Sequence, residues 1–114
     1  MKADVRKAGD VIIVDLDGDL VAGLGDEILK QVMNELVAED WKKILLNLSG
    51  VRRIDSCGVG ELVAGVKLGK RFDSTVKLVN VGQRVGEILD LTRLLPLLEV
   101  HESEAEALKA FADA

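Results

Sequence analysis

The spacing of apolar residues changes several times along this chain, and each change marks an element. Residues 11–16 are almost all β-branched or apolar, which is typical of a strand, and Asp17-Gly18-Asp19 predicts a turn after it. Residues 4–6, which precede another turn signal at Gly9, predict a short hairpin partner for this strand. Over residues 25–37 the period becomes helical, which predicts an amphipathic helix of about four turns.

The middle of the chain continues the alternation. Residues 43–48 are nearly all apolar, a pattern typical of a central strand that is covered on both faces. A second helix is predicted to begin near Ser56 and to end by Arg71. Its apolar face repeats at helical spacing through Val59, Leu62, Val63 and Val66.

The last third predicts three or four short elements. Residues 76–81 alternate as in a strand, and residues 85–89 have helical spacing. Residues 97–100 predict a final short strand that begins after Pro96. Ser103 and Glu106 form a capping box for a last helix.

Strands that alternate with helices after an opening hairpin predict an α/β fold. The expected sheet is mixed and mostly parallel, with four to five strands covered by about four helices. A chain of 114 residues with 48% apolar composition suits one domain over residues 1–114.

Composition limits the partners and the location. The net charge is −5 and the basic residues are scattered, so we expect neither nucleic-acid binding nor membrane insertion. The first nine residues are charged and contain no secretory apolar stretch, and the single cysteine excludes an internal disulfide. These features predict a soluble, cytoplasmic protein.

The segment Asp55-Ser56-Cys57-Gly58-Val59-Gly60 is the main candidate for function, because it joins the predicted central strand to a helix. Two interpretations remain open. Asp55 or Ser56 caps the helix and has no further role. Alternatively, the Ser56 hydroxyl lies on a surface turn, within reach of another protein's active site.

Other chemistries fit the sequence less well. Gly58-x-Gly60 is too short for a dinucleotide fingerprint, and residues 65–70 lack the spacing of a P-loop. Cys57 is a possible redox thiol, but no second cysteine is present to resolve an oxidised form. His101, the single histidine, lies at a predicted strand end and has no fixed relation to Cys57. We therefore expect no enzymatic activity and no cofactor.

One acidic cluster raises the question of a metal site. Asp15, Asp17 and Asp19 alternate, which would place them on one face of a strand. The other ligand positions of a calcium loop are missing, and one histidine with one cysteine cannot form a typical zinc site. A solvated strand end is the favoured interpretation, and no metal is expected.

The segment from Asp55 to Gly60 resembles the motif Asp-Ser-(Ser/Thr)-Gly-(Leu/Val)-Gly of the STAS family, and within it the bacterial anti-sigma factor antagonists. The apolar strand before it, Gly18-Asp19-Leu20 and residues 76–81 are similar to further parts of that family's pattern, in the same order. This resemblance covers nearly the whole chain and implies a single STAS-like domain.

The resemblance implies that Ser56 is a phosphorylated serine and that Asp55 is the acidic residue before it. It also implies a partner switch. The unphosphorylated protein would bind a serine-kinase anti-sigma factor and free a sigma factor, phosphorylation would block binding, and a phosphatase would reset the protein. This chain departs from the pattern at Cys57, where the family has a second hydroxyl, and at Val21, where the antagonists usually have Asp.

The expected partner surface surrounds Ser56. It includes Asp55, Cys57 and Gly58 of the motif, Val21 of the adjoining loop, and Ala64 and Leu68, which the spacing places opposite the apolar face of the second helix. Two alternatives stay open. One is a STAS scaffold subunit of a signalling or lipid-transport assembly, in which Ser56 is only a cap. The other is a small thiol-dependent enzyme that uses Cys57.

Overall fold

The computed structural model describes residues 1–113, which form a sheet with helices on both faces. In chain order the elements are β1 (Lys2–Ala8), β2 (Val11–Leu20), α1 (Gly25–Ala38), β3 (Lys43–Ile54), α2 (Ser56–Arg71), β4 (Thr75–Val79), α3 (Gln83–Leu91), a 3-10 turn (Leu95–Leu97), β5 (Val100–His101) and α4 (Glu104–Ala112). None of the helices within residues 1–113 combines the length and the apolar composition that crossing a membrane requires.

The order of the strands in the sheet follows their order in the chain, β1-β2-β3-β4-β5. β1 and β2 form an antiparallel hairpin, and every later pair is parallel. The predictions of an α/β fold, of a mixed and mostly parallel sheet, and of a central strand at residues 43–48 are confirmed.

The two faces of the sheet bury different sets of side chains, because successive strand residues point to opposite sides. On one face Val14, Ile44 and Leu78 belong to the larger core, which α1, α2 and α3 cover. On the other face Ile13, Leu45 and Val79 pack with Ala107 and Phe111 of α4. The central strands are therefore buried on both sides.

The predicted turn at Asp17-Gly18-Asp19 is wrong, because β2 continues through it to Leu20. β3 is likewise longer than expected, and its second half pairs with the second half of β2. The register shifts between Asp15 and Asp17 and again between Gly18 and Leu20, as at β-bulges. Gly18 has a φ of +122°, so the polar turn-like residues serve an irregular strand.

The last predicted strand is also corrected. Pro96 lies in the 3-10 turn Leu95–Leu97, where a missing N–H is tolerated, and the strand itself is only Val100–His101. Leu98 is buried in the larger core, whereas Leu97 is half exposed. Only Leu98 of the predicted strand therefore fills the core, and it does so from a bend before β5.

Candidate partner-binding site at the start of helix α2

Parallel crossovers bring the starts of three helices to one end of the molecule. α1, α2 and α3 each follow a strand of the parallel part of the sheet, so their N-termini lie at the edge where β2, β3 and β4 end. Ser56 is the first residue of α2 and therefore lies at this edge.

Asp55 caps α2 and also fixes the neighbouring loop. One carboxylate oxygen accepts a hydrogen bond from the Gly58 N–H at 3.0 Å, and the other accepts one from the Ala22 N–H at 3.0 Å. These backbone donors, Ala22 first, hold the pKa of Asp55 below its usual value. The cap that the sequence left to either Asp55 or Ser56 therefore belongs to Asp55, which carries a negative charge at neutral pH.

Ser56 has no structural task that the contacts reveal. Its side chain is exposed, and within residues 1–113 its hydroxyl makes no hydrogen bond. The first turn of α2 contains no acidic residue, unlike those of α1 and α4. The Ser56 hydroxyl thus lies at the positive end of the α2 dipole, next to the capping carboxylate of Asp55.

The other motif residues divide into exposed and buried positions. Cys57 is exposed beside Ser56. Gly58 is buried, because a Cβ atom at this position would overlap the carbonyl oxygen of Leu20. Gly58 therefore lets α2 approach β2 closely, and it offers no side chain to a partner.

The loop between β2 and α1 adds a residue that the sequence analysis missed. Val21 is half buried, but Leu24 is 56% exposed in the loop that Asp55 holds through Ala22. A large exposed apolar side chain in a loop that is bonded to Asp55 suits a protein interface. In the sequence, the feature that could have indicated Leu24 is a leucine between two glycines, just before the helical spacing begins at Gly25.

The two residues expected on the far side of α2 differ in their exposure. Ala64 is exposed, as the spacing indicates. The placement of Leu68 is wrong, because it is half buried and packs against the larger core beside α1. Because α2 contacts both the sheet and α1, its buried face is wider than the predicted face of four residues and includes Leu68.

The residues weighed for other chemistry have contacts of their own. His101 is half buried at the end of β5, with Nε2 2.8 Å from Glu99 Oε2. Asp15 accepts hydrogen bonds from Arg6 at 2.7 Å and Asn47 at 2.7 Å, and the Arg6 guanidinium lowers the pKa of Asp15. In the described part of the chain no three His, Cys, Asp or Glu side chains form a group that would hold a metal ion.

An exposed serine that opens a helix, after a buried parallel strand and beside an acidic cap, is the arrangement expected for a STAS domain. The family model described as STAS domain matches residues 2–107, and the chain belongs to this family.

Relatives within the family indicate its branch. The chain is 30% identical over 100 residues to a putative anti-sigma factor antagonist of Thermotoga neapolitana, with 88% of each chain covered. It is 30% identical over 74 residues to the anti-sigma-B factor antagonist of Staphylococcus epidermidis, covering 65% of this chain and 68% of that one. The crystal structure of a putative anti-sigma factor antagonist from Thermotoga maritima superimposes with a TM-score of 0.86 at 26% identity, over 95% of this chain and 92% of the other.

Proposed function

We propose that this protein is a phosphorylation-controlled partner switch of the anti-sigma factor antagonist type. The unphosphorylated form binds a serine-kinase anti-sigma factor and so releases a sigma factor. Phosphorylation of Ser56 by that kinase blocks binding, and a phosphatase restores the binding form. The protein acts by binding and catalyses no reaction itself.

The freedom of the Ser56 hydroxyl is the observation that carries this proposal. Because Asp55 supplies the cap, the exposed Ser56 side chain has no role in holding α2. An exposed hydroxyl on the first turn of a helix is accessible to a kinase active site. The relatives named as anti-sigma factor antagonists supply the partner class.

Electrostatics explain how the modification acts. A phosphate on Ser56 adds about −1.5 to −2 charges, which the N-terminus of α2 accommodates without unfolding the domain. A docked partner instead meets a bulky dianion next to the charged Asp55. A loss of about 3 kcal/mol in binding corresponds to more than a hundredfold in affinity.

Two variants of Ser56 test the switch. Ser56→Ala should bind the cognate kinase as the wild type does, and it cannot be turned off by ATP. Ser56→Asp adds a charge at the same position and should bind much more weakly. Partner affinity is measured by titration calorimetry, and phosphate on Ser56 is located by mass spectrometry after incubation with kinase and ATP.

The control is Ser103→Ala, which removes a serine at the start of a helix on the other face of the sheet. It should leave kinase affinity and phosphorylation unchanged. Equal affinities for Ser56→Ala and Ser56→Asp, together with no phosphate on Ser56, would contradict the switch and favour a scaffold subunit instead.

A further inference from the structure

A groove runs between α1 and α2, away from the start of α2. Asn34 of α1 and Leu68 of α2 line it along its length, Ala64 lies on the α2 side, and the buried Met33 and Val37 lie beneath it. Gly65 lets the helices approach, because a Cβ atom there would lie 3.3 Å from Met33 Cγ. The half-exposed ring of Phe72, which has the Arg71 guanidinium 5.8 Å from its centroid, continues the surface at the far end.

The rim of this groove is basic although the whole chain has a net charge of −5. Lys30, Lys67 and Arg71 line it and are exposed, and none of them forms an ion pair with a carboxylate of residues 1–113. Two carboxylates are also present. Asp40 is paired with Lys42 at 3.1 Å, and Glu61 lies at the end of the groove toward Ser56.

We propose that the α1–α2 groove docks an acidic amphipathic helix of a partner protein. Ala64, Leu68 and Phe72, the last of which caps the C-terminus of α2, repeat at four-residue spacing and so extend over about 12 Å, which matches roughly two turns of a docked helix. An apolar seam on that helix would fill the groove, and its flanking carboxylates would meet the unpaired lysine and arginine side chains.

Charge and shape argue against other occupants. A two-fold dimer through this groove would bring the basic rims of the two copies, each with Lys30, Lys67 and Arg71, into one interface. A lipid surface is contacted by protruding apolar side chains, whereas this site is concave and belongs to an acidic protein. An acidic helix of another protein fits the concave shape of the groove and complements the positive charge of its rim.

The groove does not depend on the proposed phosphorylation of Ser56. Lys67, the first cation of the rim along α2, is eleven residues beyond Ser56, or about 16 Å along the helix. This distance exceeds the Debye length of about 8 Å at physiological ionic strength. Phosphorylation should therefore change the affinity of the groove little, and a partner docked here would remain attached in both states.

Binding of a designed peptide tests the proposal. The probe is a fluorescent helix of about 18 residues, with leucine along one face and glutamate on the other, because shorter helices are marginal in water. We expect saturable binding to the unphosphorylated full chain by fluorescence anisotropy, weakening as salt is raised. A peptide with lysine in place of glutamate should bind at least about tenfold more weakly.

Variants locate the binding site. Ala64→Glu places a larger side chain in the groove at an exposed helical position, and glutamate is a good helix former. This variant should therefore fold and bind the peptide at least about tenfold more weakly. Lys67→Glu should also weaken peptide binding at least about tenfold, because it replaces an attractive charge with a repulsive one. Lys109→Glu makes the same charge change on α4, across the sheet, and should bind the peptide as the wild type does.

Three results would overturn the proposal. The first is no saturable binding of the acidic peptide, or binding that Ala64→Glu leaves intact. The second is a dimer in sedimentation that Ala64→Glu dissociates, since the occupant is then a second copy. The third is binding to phosphatidylglycerol vesicles that Lys67→Glu abolishes. None of these results bears on the Ser56 variants, so the two proposals fail separately.

Discussion

At the start of α2, neighbouring residues have separate tasks. Asp55 holds the backbone of α2 and of the loop between β2 and α1 through two hydrogen bonds. Ser56 is left exposed, and Gly58 is buried against Leu20. Changes at these three positions should therefore have different effects on stability and on binding.

Ser56→Ala should change the free energy of unfolding by less than about 0.5 kcal/mol, because the position is an exposed surface site that is not the cap. Ser103→Ala is the matched comparison. The Ser103 hydroxyl accepts a hydrogen bond from the Glu106 N–H at 3.2 Å, and its loss should cost about 1 kcal/mol. Urea denaturation of both variants measures the difference. Equal losses would mean that Ser56 also stabilises its helix.

Two glycines of α2 should respond oppositely to alanine. Gly58→Ala forces a methyl group against the Leu20 carbonyl and should cost about 1–3 kcal/mol. At Gly60 nothing lies within 4 Å of a Cβ atom, so Gly60→Ala should stabilise the helix by about 0.5–1 kcal/mol. Thermal denaturation of the pair checks this. A stable Gly58→Ala variant would show that α2 can move away from β2 without loss.

At the scale of elements, the central strand should contribute most to stability. Leu46 in β3 is fully buried, and Leu46→Ala should cost about 2–5 kcal/mol in a denaturant titration. Val5 in the edge strand β1 is 49% exposed, so Val5→Ala should cost less than about 1 kcal/mol. Similar losses for the two variants would contradict the burial of β3 at the centre of the sheet.

Periodicity predicted most elements, and it failed where polar residues occupy strands. Helices α1, α2 and α4 begin close to the expected positions, because each has a buried stripe at helical spacing. The extensions of β2 and β3 were missed because Asp17, Gly18 and Gly50 are typical of turns. Pairing between the strands overrides that local preference. Gly50 is needed for their close approach, since its Cβ atom would lie 2.6 Å from the Leu16 carbonyl oxygen.

The sequence could predict only those parts of the candidate site that lie close together in the chain. The motif from Asp55 to Gly60 is continuous in sequence and identified Ser56, whose role stays a prediction. The bond from Asp55 to Ala22 joins residues 33 positions apart, so no local pattern reveals it. Leu24 and Phe72 gain significance only from their exposure in the folded chain.

At the scale of the whole molecule, Lys77 of β4 should give stability a pH dependence. Its side chain is buried over the ring of Phe111, and burial lowers the pKa of Lys77 below its ordinary value of 10.5. The Glu99 carboxylate contacts it but is half exposed, so water screens this ion pair. Between the lowered pKa and 10.5 the unfolded chain binds more protons, and stability due to this residue rises with pH.

Lys77→Met should remove that contribution while keeping the buried stem. The difference in unfolding free energy between wild type and variant should shift in favour of the wild type as pH approaches 10.5. Urea titrations at a series of pH values measure it. A difference that is constant with pH, or one that shifts toward the variant, would contradict a lowered pKa at Lys77.

The strand order of the sheet has a consequence for how the chain folds. Because the order in space is the order in sequence, every strand after β1 adds beside the one before it, and no strand must be inserted between two already paired. Once Arg71 has emerged from a ribosome, the chain already contains the hairpin, the central strand and both helices of the groove. Each parallel pairing then closes over a single crossover, and until β4 follows, the apolar strand β3 is the unpaired edge of the growing sheet.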